Sequence, residues 1–190
     1  MSATAEALYH RHRLSADDYE HMGQANILGE DDRVELIDGE IIDIPPIGSP
    51  HGGAVNRIAN RIIRAFSETD AILATQNPLR LSDFSEPEPD IALLRPRADF
   101  YAKRHPRPED VLLLIEVAET SLRYDRDKKL PLYACAGIPE SWLVDLSGTA
   151  LWIYRDPGPK GYASVSQARD LSALLPLCLP EAALDLSGLF

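Results

Sequence analysis

The sequence predicts an α+β fold: a mixed, mostly antiparallel sheet flanked by helices and preceded by an N-terminal β-hairpin. Three observations predict it. The segment RVELIDGEIIDI sets strand-forming residues on both sides of Asp38-Gly39, the strongest short-range signal for a two-residue hairpin turn. From His51 onward, Val55, Ile58, Ala59, Ile62, Ile63 and Phe66 recur at helical spacing. The run Val111 to Val117 has almost no polar alternation, the pattern of a central strand covered on both faces.

In the hairpin, Ile37 opposes Glu40 and Glu35 opposes Ile42, so the two glutamates share one face of the ribbon. The segment PPIGSP then breaks the chain ahead of an amphipathic helix of about four turns. The polar face of that helix carries Asn56, Arg57, Asn60, Arg61 and Arg64. Strands are expected near Ala71 to Thr75, Asn77 to Leu81, Asp90 to Leu94 and Val111 to Val117, separated by loops rich in proline or charge. After Ser121 a second helix ends near Gly137, a C′ glycine. Proline is tolerated only in a first helical turn, so Pro131 puts the start of this helix near Asp127 or Lys128. SWLVDL, ALWIYRD and YASVSQA read as further strands, and Leu171 to Phe190 as a short irregular or helical tail.

At 190 residues, with 45% apolar and 26% charged residues, the chain is expected to form one domain over 1–190 with a sizeable core, and the composition argues against disorder. The first twenty-odd residues hold no continuous apolar stretch, and the longest apolar run, Val111 to Ile115, is far too short to span a bilayer. A cytoplasmic protein without a membrane partner is expected. Cys135 and Cys178 make neither a metal-type spacing nor a disulfide framework, and both read as small buried hydrophobes. The net charge of −11 argues against a broad non-specific grip on nucleic acid, though it leaves room for a local basic surface. Arg57, Arg61 and Arg64 lie at i, i+4 and i+7. Arg95, Arg97, Lys103, Arg104 and Arg107 crowd one loop, and Arg123, Arg126, Lys128 and Lys129 another. Charge alone does not separate a binding surface from solvated faces.

Two carboxylates are set among core-like residues. Asp90 heads the strand in PEPDIALL, and Glu116 stands near the end of VLLLIEVAETS. If these strands pair antiparallel, start meets end and both acids come to one sheet edge. Like charges so close raise one pKa unless a cation separates them. Two readings follow from spacing alone: oxygen ligands for Mg²⁺, or Mn²⁺ in its place, and strand-end acids held by backbone amides or arginines.

The order ELIDGEI, PPIGSPH, PEPD, IEVAETS and RYDRDKKLPLYACAGIPESWLVD resembles the Uma-type family of restriction endonucleases, within the PD-(D/E)XK nuclease superfamily. The resemblance covers roughly residues 14–156. It implies a restriction-endonuclease-like core with Asp90 and Glu116 as metal ligands and the Val117 carbonyl as a third. It also implies a lysine that orients or polarises the attacking water. The superfamily pattern puts that lysine two residues after Glu116, where this chain has Ala118. In families like this one it stands on the following helix, where Lys129 matches, with Lys128 as the neighbouring fallback. A lysine in a first helical turn opposes the macrodipole by about 0.3 to 1 kcal/mol, a mild cost that suits a functional placement. Glu40 and His51 fall on family motif positions and are expected to border the same cleft. Asp125 also matches and is expected to pair with Lys129 at i, i+4. Tyr133 and Trp142 are assigned to the core.

The activity implied is Mg²⁺-dependent hydrolysis of phosphodiester bonds, with DNA as the expected partner and Arg57, Arg61 and Arg64 as contacts to flanking phosphates. Cutting both strands of a duplex needs two sites, hence an expected homodimer. A rival class is a catalytically silent nucleic-acid-binding or protein-interaction module on the same scaffold, favoured by the displaced lysine and the acidic charge. A carboxylate-pair glycosidase would want an aromatic-rich sugar cleft, for which the sequence offers nothing.

Overall fold

A computed structural model of the chain describes residues 11–29 and 31–190; the first ten residues of the stretch read as lacking an apolar run lie outside them. The first element, α1 (Ala16–Gln24), had not been expected. Its signal was present in the sequence: Ser15 accepts from Asp18 N while the Asp18 carboxylate reaches back to Ser15 N, a capping box that satisfies two orphan amides at once. Ser15→Ala should cost about 0.5 to 2 kcal/mol, measured as a lowered midpoint in denaturant with the slope unchanged.

The expected hairpin forms from β1 (Val34–Ile37) and β2 (Glu40–Asp43), with Glu35 opposite Ile42 and Ile37 opposite Glu40. Asp38 at φ 53° and Gly39 at φ 83° form the turn, both in the left-handed region that a primed hairpin turn requires. A Cβ at Gly39 would stand 2.6 Å from the Arg13 Cβ, so this glycine is fixed by neighbours as well as by φ. Helix α2 (Ser49–Ala65) follows and buries Ala54, Val55, Ile58 and Ile62. Ile63, expected on that face, is 64% exposed, because it lies about 100° round the helix from Ile62.

The main sheet has six strands in sequence order: β3 (Ile72–Thr75), β4 (Ile91–Leu94), β5 (Val111–Ala118), β6 (Glu140–Asp145), β7 (Ala150–Gly158) and β8 (Gly161–Gln167). Only β5 and β6 pair in parallel; every other neighbour is antiparallel. The expected strand at Asn77 to Leu81 is absent. Its amides bond to irregular partners, Leu79 N to Pro87 O and Arg80 N to Pro106 O, and Pro78 offers no donor for a ladder. β5 is covered on both faces, as expected. Leu113, Ile115 and Val117 pack with α2 residues and the C-terminal tail, whereas Leu114 and Ala118 pack with Leu130 and Tyr133.

The parallel step from β5 to β6 is made by one continuous helical segment: α3 (Leu122–Tyr124), a π-turn (Asp125–Lys129) and α4 (Leu130–Cys135). It begins about five residues before the start expected from Pro131. The wide turn explains the proline. Leu130 N bonds back five residues to Asp125 O, so the register changes just ahead of Pro131, where a missing N–H is tolerated. Lys129 is therefore inside the helix rather than in its first turn, and no macrodipole cost arises. The segment ends as expected at Gly137, φ 82°, with Ile138 N bonded to Tyr133 O and Gly137 N to Ala134 O, a Schellman closure. Cys135 is an exposed thiol and Cys178 a half-buried one, so neither is the buried hydrophobe expected. Cys135 ends α4 on its solvent side. Among the described residues no helix is long and apolar enough to cross a membrane.

Candidate active site

The β4–β5 register, Ile91 opposite Ile115, carried one residue further sets Asp90 opposite Glu116. The two acids thus meet at one sheet edge, as start-to-end pairing requires. Asp90 N approaches Glu116 Oε2 at 3.4 Å. Asp90 Oδ2 accepts from Val117 N at 2.8 Å, and Oδ1 lies 2.8 Å from His51 Nε2. His51 comes from the first turn of α2, which the stiff PPIGS segment delivers to this edge. Its pKa is raised chiefly by the hydrogen bond to Asp90, against burial.

Glu116 faces the helical segment of the crossover. Its Oε1 accepts from Tyr133 Oη at 2.5 Å and from Lys129 Nζ at 2.9 Å. Burial pushes its carboxyl up to about 8, with Lys129 pulling the other way and Asp125 and Asp90 adding to the rise. Burial works against the Lys129 ammonium, but Glu116 and Glu35 outweigh it and its pKa is raised. The ammonium is held charged by the Glu35 carboxylate at 3.5 Å and by its contact to Glu116, and the Glu88 carbonyl accepts from it at 3.4 Å. Lys128, one residue earlier, is exposed. Adjacent helical residues point about 100° apart, and here that separation divides a buried lysine from a solvated one.

Glu35 was noted in the sequence only as sharing a ribbon face with Glu40, and it is the residue the sequence reading missed. It is 2% exposed, lies 3.5 Å from Lys129 Nζ, and accepts from Tyr124 Oη at 3.0 Å and Glu88 N at 3.1 Å. Glu40, expected at the cleft, is instead exposed and paired with Arg11 at 2.9 Å. Both acids do sit on one face, but Glu40 adjoins the turn while Glu35 lies two residues deeper, where the hairpin packs on the segment around Glu88. Asp125 does not pair with Lys129; it accepts from Ser121 Oγ at 2.6 Å, since the lysine extends toward the sheet edge. Burial raises the Asp125 pKa, with Lys129 lowering it. Tyr133 and Trp142 are fully buried core residues, and the Tyr133 hydroxyl also holds Glu116.

Glu35, His51, Asp90, Asp125 and Lys129 line a cavity of about 320 Å³, whose opposite wall is Ile42 and the Ile44–Gly48 segment. Arg57, Arg61 and Arg64 do not line it. Arg57 donates to Gly188 O and Arg61 lies 3.7 Å from Asp185, so these two hold the C-terminal tail.

Among the described residues no group of three or more His, Cys, Asp or Glu is arranged to hold a metal ion. The donor set is of the open kind: two hard oxygen residues, Asp90 and Glu116, with the Val117 carbonyl leaving the strand on the side of its N–H, toward Asp90. Mg²⁺ binds by one or two carboxylates while keeping several waters, so the residues present fit such an ion.

A fold of this topology, with an Asp–Glu pair and a buried lysine at the edge of its sheet, is that of the restriction-endonuclease-like proteins. The sequence matches the Uma2 family, described as "Putative restriction endonuclease", over residues 16–187, and the chain belongs to that family. Among solved structures it is similar to a putative nuclease belonging to DUF820 from Anabaena variabilis, with a TM-score of 0.72 and 18% identity over 93% of this chain and 97% of the other. No curated protein matches the sequence.

Proposed function

We propose that the chain is a divalent-cation-dependent endonuclease that hydrolyses phosphodiester bonds of DNA, with Mg²⁺, or Mn²⁺ in its place, held by Asp90, Glu116 and the Val117 carbonyl. The observation that carries this reading is that Lys129, displaced from the strand to the helix, still brings its ammonium to 2.9 Å from Glu116. The chemistry such an ion supplies is polarisation of the phosphoryl oxygen and acidification of a water. The chain's own residues do the rest. His51 orients the Asp90 carboxylate through Oδ1. Tyr133 and Lys129 fix Glu116, and Glu35 clamps Lys129 from the far side. The Lys129 contacts to Glu35 and to the Glu88 carbonyl are long, 3.5 and 3.4 Å. An ammonium so held donates readily to the attacking water or to the developing phosphate charge. Arg57, Arg61 and Arg64 would touch only nucleic acid that passes beyond the cavity, and Arg64 is the freest of the three to do so. Cutting both strands of a duplex would take a homodimer; cutting one takes a single copy. Two free thiols suit the reducing cytoplasm.

Asp90→Asn keeps the shape and the hydrogen bond from Val117 N but removes the charge. Mg²⁺- or Mn²⁺-dependent cleavage of an oligonucleotide by the pure protein should fall by roughly a hundredfold or more, with the circular dichroism spectrum unchanged. A wild-type chain that binds the oligonucleotide but never cuts it would favour the silent-module reading. One observation speaks for that rival: among the described residues every buried polar side-chain atom already has a partner.

A further inference from the structure

Resting on the nuclease reading above, we propose that the substrate of this site is an unpaired strand, and that duplex is attacked only where it is frayed or flapped. Of the reacting groups, His51, Asp90 and Lys129 line the cavity, and Glu116 is buried beside them against Lys129 and Tyr133. The side chains of Glu116 and Lys129 are 3% and 6% exposed, and those of Asp90 and His51 13% and 16%. A scissile phosphate must therefore enter the cavity rather than rest against its mouth. At about 320 Å³ the space stands at the lower end of the roughly 300–1,000 Å³ range of small-molecule sites, room for one nucleotide and not for a base pair with both its backbones.

The wall that sets this limit is not a loose flap. Asp43 is paired to Val34 and Ile44 N donates to Arg33 O at 2.8 Å, which fastens one end to the hairpin. Gly48 starts α2 with its carbonyl accepting from Gly52 N at 3.0 Å, which fastens the other. Between them Pro45 and Pro46 have fixed φ. At Gly48 a Cβ would stand 2.8 Å from Glu119 Oε2, so the segment already abuts the exit of β5. Beside Asp43, its lining of Ile42, Pro45, Pro46 and Ile47 is apolar, and an unstacked base is held by apolar and aromatic side chains of this kind. Charge points the same way. Among the described residues, Arg33 and Lys129 are the only lysine or arginine side chains lining the cavity, and acids outnumber them there. Such walls accept one or two phosphates beside a cation and repel the dense charge of a duplex.

The test uses one labelled DNA sequence as a single strand, as a blunt duplex and as a duplex bearing a single-stranded flap. Cleavage is followed in Mg²⁺ or Mn²⁺ and binding by fluorescence anisotropy in Ca²⁺. The single strand and the flap should be cut, and the blunt duplex roughly a hundredfold more slowly, because extruding a paired nucleotide is costly. Single-strand binding should be tighter than duplex binding, with a salt slope of only about −0.7 per phosphate engaged, hence about −1 in all. Ile47→Asp, at a residue 40% exposed and so harmless to folding, should weaken single-strand binding tenfold or more. A blunt duplex cut as fast as the single strand would overturn the inference and leave the nuclease reading standing. No cleavage of any substrate, together with preferential and weakly salt-dependent single-strand binding, would remove the nuclease reading and leave the cavity's preference for an unpaired strand standing. Equal or absent binding without cleavage would overturn both.

Discussion

Lys129→Ala should abolish metal-dependent cleavage, lowering it by about three orders of magnitude or more, whereas Lys128→Ala should change it less than twofold. The two lysines are sequence neighbours, so the contrast isolates geometry: one ammonium lies 2.9 Å from Glu116 and the other is in solvent. The structure adds a second effect that the sequence could not reveal. Removing Lys129 leaves Glu35 and Glu116, each 2% exposed, facing each other without a cation, and breaking a buried pair costs about 3 to 5 kcal/mol. The Lys129→Ala chain should therefore lose activity and also unfold earlier in denaturant. Glu35→Gln with Lys129→Met, which removes one of the opposed charges and refills the volume, should recover much of the stability and none of the cleavage. Equal loss in the Lys128 and Lys129 variants, or none in either, would sink the assignment of the lysine.

Arg155→Ala should be among the most destabilising single changes in the chain. Glu140 opens β6 at 0% exposure. Its Oε1 receives Arg155 Nε at 2.9 Å, Arg155 Nη2 at 2.6 Å and Trp142 Nε1 at 2.9 Å, while Oε2 receives Leu177 N at 2.6 Å. Truncating the arginine leaves the Glu140 carboxylate without its cation, held only by Trp142 Nε1 and Leu177 N. The loss should be about 3 to 5 kcal/mol, read calorimetrically as a fall in Tm of roughly 6 to 20 °C for a chain of this size. Making both members apolar, Glu140→Leu with Arg155→Met, should recover only part of it, because Trp142 Nε1 and Leu177 N would then be left without acceptors. A single variant within 1 kcal/mol of wild type would show that water reaches Glu140.

What could be read in the sequence follows from how local each signal is. Asp38-Gly39 encodes its own turn, and Val111 to Val117 announces a doubly covered strand, since both depend on residues a few positions apart. The meeting of Asp90 and Glu116 followed from a single assumption about strand direction. The errors came where distant parts of the chain decide. Pro131 set the helix start wrongly because no local rule anticipates a π-turn that absorbs it. Glu40 is named by its family motif position, and the shared face of Glu35 and Glu40 is visible locally, but which end of the hairpin packs against Glu88 is not. The capping box at Ser15 and Asp18 is legible in the sequence, because its two members stand three residues apart.

The pocket's members come from far apart along the chain: His51 meets Asp90 across 39 positions, and Tyr124 meets Glu35 across 89. Contacts of such long range must overcome the loop-closure entropy between their members before they add stability. Lys129 itself arrives on the connection between the two parallel strands. A chain still emerging from the ribosome, or one caught half-folded, holds each reactive group but not their juxtaposition. On the proposed reading, hydrolysis would belong only to the folded molecule and not to a chain whose reactive groups are still apart.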